Sequence, residues 1–143
     1  MYMGPDIWGP HGWKFLHFVT LGYPENPTSD EKKIYKTFFS LIQIVLPCKL
    51  CAENYKKHLK EYPITDEILA DKNKFISWCI KIHNLVNIKN NSKVYSDEEA
   101  LKLILNEKSC KKSNESYIDI LIISFIILCI SLFLLYKQIA KLI

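Results

Sequence analysis

Ile42-Gln43-Ile44-Val45-Leu46-Pro47-Cys48-Lys49-Leu50-Cys51 sets two thiols three residues apart, directly behind a proline. A thioredoxin-like unit would place such a pair straight after a strand in a βαβ arrangement. Here Ile34, Phe38, Leu41, Ile42 and Val45 recur at helical steps up to Pro47, so a helix precedes the pair. Behind it, Cys51, Tyr55, Leu59 and Tyr62 keep the same spacing and predict a second helix with both sulfurs on its buried edge. If Pro47 opens that helix, Cys48 lies in its first turn, where the partial positive charge of the helix terminus favours a thiolate.

A lone CxxC leaves three readings open: a redox pair, half of a zinc site, or an incidental spacing. Zinc needs two further ligands, and the chain holds no second CxxC and no HxxxH pair. Cys79, Cys110 and Cys129 are scattered singly, and His11, His17, His58 and His83 stand far apart. No metal site is expected.

The 143 residues, 49% hydrophobic and 13% aromatic, suffice for one compact domain with a more apolar piece at one end. That piece runs uncharged from Ile120 to Tyr136, with Tyr117 and Tyr136 at its edges, and predicts a transmembrane helix over 117–136. Met1 to Pro10 has neither a basic start nor an apolar centre, so no signal peptide is expected. A single span so close to the C-terminus predicts a tail-anchored, single-pass protein whose domain faces the cytosol. Lys108, Lys111 and Lys112 before the span against Lys137 and Lys141 after it agree with that orientation. The net charge of +4 is mild and the basic residues are all lysine, which fits a membrane-surface protein and gives no nucleic-acid signature.

The remainder reads as helices. Trp8-Gly9-Pro10 predicts a helix opening at Pro10, with Trp13, Leu16, His17, Thr20 and Leu21 on one face and Tyr23-Pro24 as its end. Thr28-Ser29-Asp30 caps the next helix, with Ile34, Phe38, Leu41, Ile42 and Val45 inward. Asp71 caps a fourth, where Phe75, Trp78, Cys79, Ile82, His83 and Val86 form the longest apolar stripe. Ser96 and Glu99 form a capping box for a short fifth with Ala100, Leu103 and Ile104 inward. The fold class is all-α: a four-helix bundle plus a short fifth helix, followed by a C-terminal transmembrane helix. His11 and His58 read as exposed. The space between facing helices of a bundle is a usual place for a cofactor, and His17, His83, Trp8 and Trp13 sit on suitable faces.

The blocks Trp8-Gly9-Pro10-His11-Gly12-Trp13-Lys14-Phe15-Leu16-His17, Leu46-Pro47-Cys48-Lys49-Leu50-Cys51 and Trp78-Cys79-Ile80-Lys81-Ile82-His83-Asn84-Leu85-Val86-Asn87 together resemble the Erv/ALR family of FAD-linked sulfhydryl oxidases. The compact form with one CxxC is most similar to the versions of large DNA viruses. The resemblance implies an oxidase domain over 1–108; the polar, lysine-rich stretch and the uncharged run set a linker over 109–116, the span over 117–136 and a short tail over 137–143. It implies a homodimer binding FAD beside the CxxC. Cys48 would take the attack of a protein dithiol substrate, or of a thioredoxin-like relay protein. Cys51 would lie next to the flavin, and molecular oxygen would leave as hydrogen peroxide. Trp8, Gly9, Trp13, His17, His83, Asn84 and Asn87 would hold the cofactor, with Lys89 or Lys93 facing its phosphates.

Three departures accompany the resemblance. The family often carries Leu-Gly-Lys where this chain has Asn90-Asn91-Ser92. Lys60 stands at one position of a structural disulfide found in longer relatives and Cys79 is offset from the other, so no such bridge is expected. A separate shuttle pair is missing, since only Cys110 and Cys129 remain; Cys110 reads as a free linker thiol, with a bridge between two protomers as the alternative, and Cys129 as an apolar membrane residue. The anchored oxidase would work at a host or virion membrane. The competing class is a membrane-tethered helical interaction module with a structural disulfide, which would be colourless.

Overall fold

The computed structural model describes residues 4–106, 124–126 and 137. Over described residues 4–106 the helices in order are α1 Pro5–Leu21, α2 Ser29–Val45, α3 Lys49–Glu61, α4 Asp66–Leu69, α5 Lys72–Lys89 and α6 Asp97–Asn106. There is no strand among the described residues, so the all-α expectation holds and gains one short helix, α4. Met1–Ile104 is one compact unit and Leu105–Ile143 a second. Ser124, Phe125 and Ile126 in the latter are helical and exposed. No helix among the described residues is long and apolar enough to cross a membrane. The expected span, 117–136, lies outside them apart from those three residues, as do Cys110 and Cys129.

Local chemistry sets most helix ends. The Thr28 N–H donates to Glu31 Oε2 at 2.8 Å while Glu31 N–H donates to Thr28 Oγ1 at 3.2 Å, a reciprocal capping box. Asp71 accepts from the amides of Asn73 and Lys74, and Ser96 with Glu99 repeats the box at α6. The start of α1 departs from expectation. Pro5, not Pro10, occupies the first turn, and Pro10 sits inside the helix. Both Pro10 and Asp6 are exposed, so the carbonyl deprived of its N–H partner turns to water.

In the bundle α1 packs on α5, and α3 packs on both α2 and α5. Phe75 is fully buried at the centre, with Tyr23, Phe39 and Trp78 rings 4.9, 5.2 and 5.8 Å from its own. Burying one such ring contributes about 2–3 kcal/mol. The polar atoms that go in with the aromatics are matched: Tyr23 Oη donates to the Leu69 carbonyl, Tyr55 Oη to Phe39 and Trp78 Nε1 to Tyr62. α4 exists to present Leu69, which is wholly buried, and its carbonyl to this core. A smaller cluster of Ile76, Ile80 and Ala100 seats α6 on the back of α5, with Leu101 and Ile104 beside it.

Two predicted faces are rotated. On α2 the core takes Phe39 and Ile42, whereas Ile34, Leu41 and Val45 are exposed together with Ile44. On α6 Leu103 is exposed and Leu101 packs in its place. The α2 helix is apolar on more of its circumference than the bundle can cover, so periodicity alone picked the wrong edge.

Candidate redox and cofactor site

α2 stops at Val45 because Pro47 has no N–H to continue it, and the chain turns into α3 through Cys48. Cys48 is the N-cap itself, two places earlier than a Pro47 start would give. Its Sγ accepts from the Cys51 N–H at 3.2 Å, the contact a serine cap would make, so the sulfur rests at the positive end of the α3 dipole. Cys48 and Cys51 form a disulfide with Cα atoms 5.1 Å apart. Cys48 is 6% exposed and Cys51 is more open. The more enclosed sulfur is thus the one that the sequence reading offers to substrate.

A second cluster forms where α1 meets α5. The Trp13 and His83 rings stack 4.3 Å apart and nearly parallel. His17 Nε2 and His83 Nδ1 are 2.9 Å apart, so one imidazole donates and the other accepts. Burial pulls the pKa of each down to about 4, helped at His83 by His17, which keeps both neutral at pH 7. Thr20 Oγ1 donates to the His17 carbonyl and steadies that turn of α1.

Whether such a site suits a flavin dinucleotide is tested by what it leaves unmatched. His17 Nδ1 and Trp8 Nε1 are enclosed without a hydrogen-bond partner. Gly9 is buried, yet a side-chain carbon built on it would meet no heavy atom within 4 Å. Unmatched nitrogens, free space against the backbone and a flat aromatic pair fit a large heteroaromatic ligand with polar edges. Gly12 was missed by sequence reasoning: a Cβ there would come within 3.2 Å of the Trp8 ring, so its absence lets that indole lie across α1. The spacing of four from Trp8 was the available signal.

Other expected contacts are committed elsewhere. Asn84 Nδ2 donates to the Tyr95 carbonyl and Asn84 Oδ1 accepts from the Tyr95 N–H, so this amide ties down the segment before α6. Lys89 donates to Asn54 Oδ1 on α3. Lys93 pairs with Glu99 at 3.7 Å and lies over the Tyr95 ring. Asn87 is half-buried in the last turn of α5, and its carbonyl accepts from the Asn90 and Ser92 amides. His58, expected in solvent, is half-buried with Nε2 enclosed and unpartnered, and burial lowers its pKa. It falls seven residues after Cys51 on the same stripe as Tyr55, a signal the charged neighbours obscured. Cys79 is a free thiol, 1% exposed, which burial pushes up to about 12. Among the described residues no group of His, Cys, Asp or Glu could hold a metal ion.

Fold and site define an all-helical redox protein with one closed CxxC. The Erv1 / Alr family model matches residues 10–113. The chain belongs to that family. It is 44% identical over 112 residues to a probable FAD-linked sulfhydryl oxidase of Acanthamoeba polyphaga mimivirus, covering 78% of each chain. It is 31% identical to the Arabidopsis thaliana FAD-linked sulfhydryl oxidase ERV1, covering 68% of this chain and 52% of that one. It is 30% identical to an African swine fever virus FAD-linked sulfhydryl oxidase over 64% of this chain and 75% of that one. The crystal structure of the FAD binding domain of Erv1 from Saccharomyces cerevisiae superposes with a TM-score of 0.63 at 26% identity, over 67% of this chain and 89% of that one.

Proposed function

We propose that this chain is an FAD-dependent thiol oxidase that forms disulfides in protein substrates. The observation that carries the reading is the closed Cys48–Cys51 pair capping α3 in a chain of the Erv1 / Alr family that matches a probable FAD-linked sulfhydryl oxidase over 78% of that protein's length. A substrate thiolate attacks Cys48 Sγ, the Cys48–Cys51 bond breaks and Cys51 leaves as thiolate. The second substrate thiolate then attacks the mixed disulfide, the substrate leaves oxidised, and Cys48 is released beside the α3 terminus, which favours its thiolate form. FAD, when bound, takes the electron pair of the reduced cysteines and passes it to oxygen, giving hydrogen peroxide.

Trp8, Gly9, Trp13, His17, His83 and Asn87 would hold that cofactor. The neutral His17–His83 pair fixes the Trp13 stack, and the unmatched nitrogens of His17 and Trp8 supply polar contacts. Lys89 and Lys93 reach a phosphate only by leaving Asn54 and Glu99. A second copy of the chain would cover the exposed row Ile34, Leu41, Ile44 and Val45, beside which Phe15 of α1 meets Phe38 edge-on. Attachment through 117–136, with the domain on the cytosolic side, would confine disulfide formation to one membrane against a reducing background; the uncharged run supports this.

The test is the spectrum and turnover of the purified chain. It should be yellow, bleach anaerobically with excess dithiol and consume oxygen. Cys51→Ser should keep the flavin and lose turnover. A colourless protein, or turnover retained in Cys51→Ser, overturns the reading.

A further inference from the structure

Two helical stripes that play no part in the disulfide or the cofactor cluster face one another across an open groove of about 610 Å³. Lys36, Ser40 and Gln43 line it from α2 at steps of four and three. Glu53, Lys56, Lys57 and Lys60 line it from α3 on the side turned away from Cys51 and Tyr55. Its floor is apolar, made by Leu59, Pro63 and the buried Ile64. Four lysines therefore meet one carboxylate inside the groove. Lys36 is paired, with Asp66 at 3.4 Å. Lys56, Lys57 and Lys60 are exposed and have no ion pair among the described residues.

We propose that this groove docks an acidic polypeptide segment of the protein whose thiols are oxidised. Charge complementarity names the sign of the occupant, and the apolar floor beside the α3 lysines suits side chains of an extended peptide better than a phosphate backbone. Position supplies the link to the chemistry. Gln43 and Glu53 stand five residues on either side of Cys48, so one end of the groove opens at the α2–α3 turn that carries the disulfide. At 1.5 Å per helical residue, Lys56 to Lys60 lie roughly 8–14 Å along α3 from Cys51. Because these lysines face away from Cys51, the path also crosses the width of α3, and an extended substrate covers it in about four to six residues. The acidic residues of a favoured substrate accordingly fall within a few positions of its reactive cysteine.

The identity of the occupant as a substrate rests on the oxidase reading; the charge preference of the groove does not, and the experiment separates the two. The full chain, held in non-ionic detergent, is given two dithiol peptides that share a Cys-x-x-Cys and differ only in glutamate or lysine flanks, with dithiothreitol as a neutral small dithiol. Wild type should turn over the glutamate peptide with a kcat/KM about tenfold or more above the lysine peptide, and high salt should erase the difference. The Lys56→Glu/Lys57→Glu/Lys60→Glu variant should invert the order while oxidising dithiothreitol at an unchanged rate, with the Lys→Gln triple intermediate. Fluorescence anisotropy of the serine versions of both peptides reads binding without turnover. If no dithiol at all is oxidised, the oxidase reading fails and anisotropy alone decides the groove. Equal binding of the two peptides, an equal loss on dithiothreitol, or displacement of the glutamate peptide by a short RNA that binds more tightly overturns the proposal.

Discussion

Acidifying the protein from pH 7 to pH 5 should cost it about 3 kcal/mol of stability, because burial where α1 meets α5 disfavours a proton on His17 or His83. Both histidines are held at about 4 in the fold, against about 6.5 when exposed. Between those values the unfolded chain binds protons that the folded one refuses, so stability is complete above 6.5 and falls as the pH drops toward 4. At pH 5 each depressed imidazole forfeits about 2 kcal/mol. His17 is nearly inaccessible but His83 is less enclosed, which brings the pair to about 3 kcal/mol rather than ~4. With a urea slope of about 1.5 kcal/mol/M, the unfolding midpoint should fall by roughly 2 M. His58 is also depressed by burial and titrates in the same direction, so the comparison is made between wild type and His17→Asn/His83→Asn in parallel urea titrations. The double variant should be less stable at pH 7 and lose much less on acidification. An equal acid loss in both would refute the coupling between this pair and the fold.

Two further outcomes are expected. Thr28→Ala removes the Oγ1 arm of the α2 capping box while leaving the backbone N–H to Glu31, and should cost about 1 kcal/mol, read as a drop of several degrees in thermal unfolding, with dithiol turnover unchanged at 25 °C. Leu41→Glu/Ile44→Glu should shift the protein toward monomer in sedimentation velocity; an unchanged dimer, or a wild type that is monomeric at all concentrations, would remove α2 from the interface.

Features decided within four residues were legible in the sequence. Thr28, Asp71 and Ser96 cap as expected because a cap depends on one side chain and the next two or three amides. The stop at Pro47 and the disulfide beyond it are equally local. Helix faces were legible in part: α5 buries the expected stripe but also a second side, Ile76 and Ile80, under α6, whereas α2 carries surplus apolar surface and α4 is too short to show a period. The departure at Asn90-Asn91-Ser92 finds its reason in the backbone. Asn91 has a φ of 52°, the left-handed turn that ends α5, and asparagine is the residue that best replaces glycine there. The Trp13–His17–His83 cluster joins positions more than sixty residues apart, and no pattern in the chain short of family resemblance brings them together. The engagements of Asn84, Lys89 and Lys93 were hidden for a similar reason, since their partners Tyr95, Asn54 and Glu99 are chosen by packing.

Cys79 shows how a catalyst of thiol exchange can carry a spare thiol without reacting with itself. With its pKa pushed up to about 12, only about one molecule in 10⁵ carries the nucleophilic form at pH 7. The surrounding core, closed to within 1% of the side chain, excludes any attacking partner as well. Self-inactivation by scrambling with Cys79 would thereby be blocked twice, by proton affinity and by access.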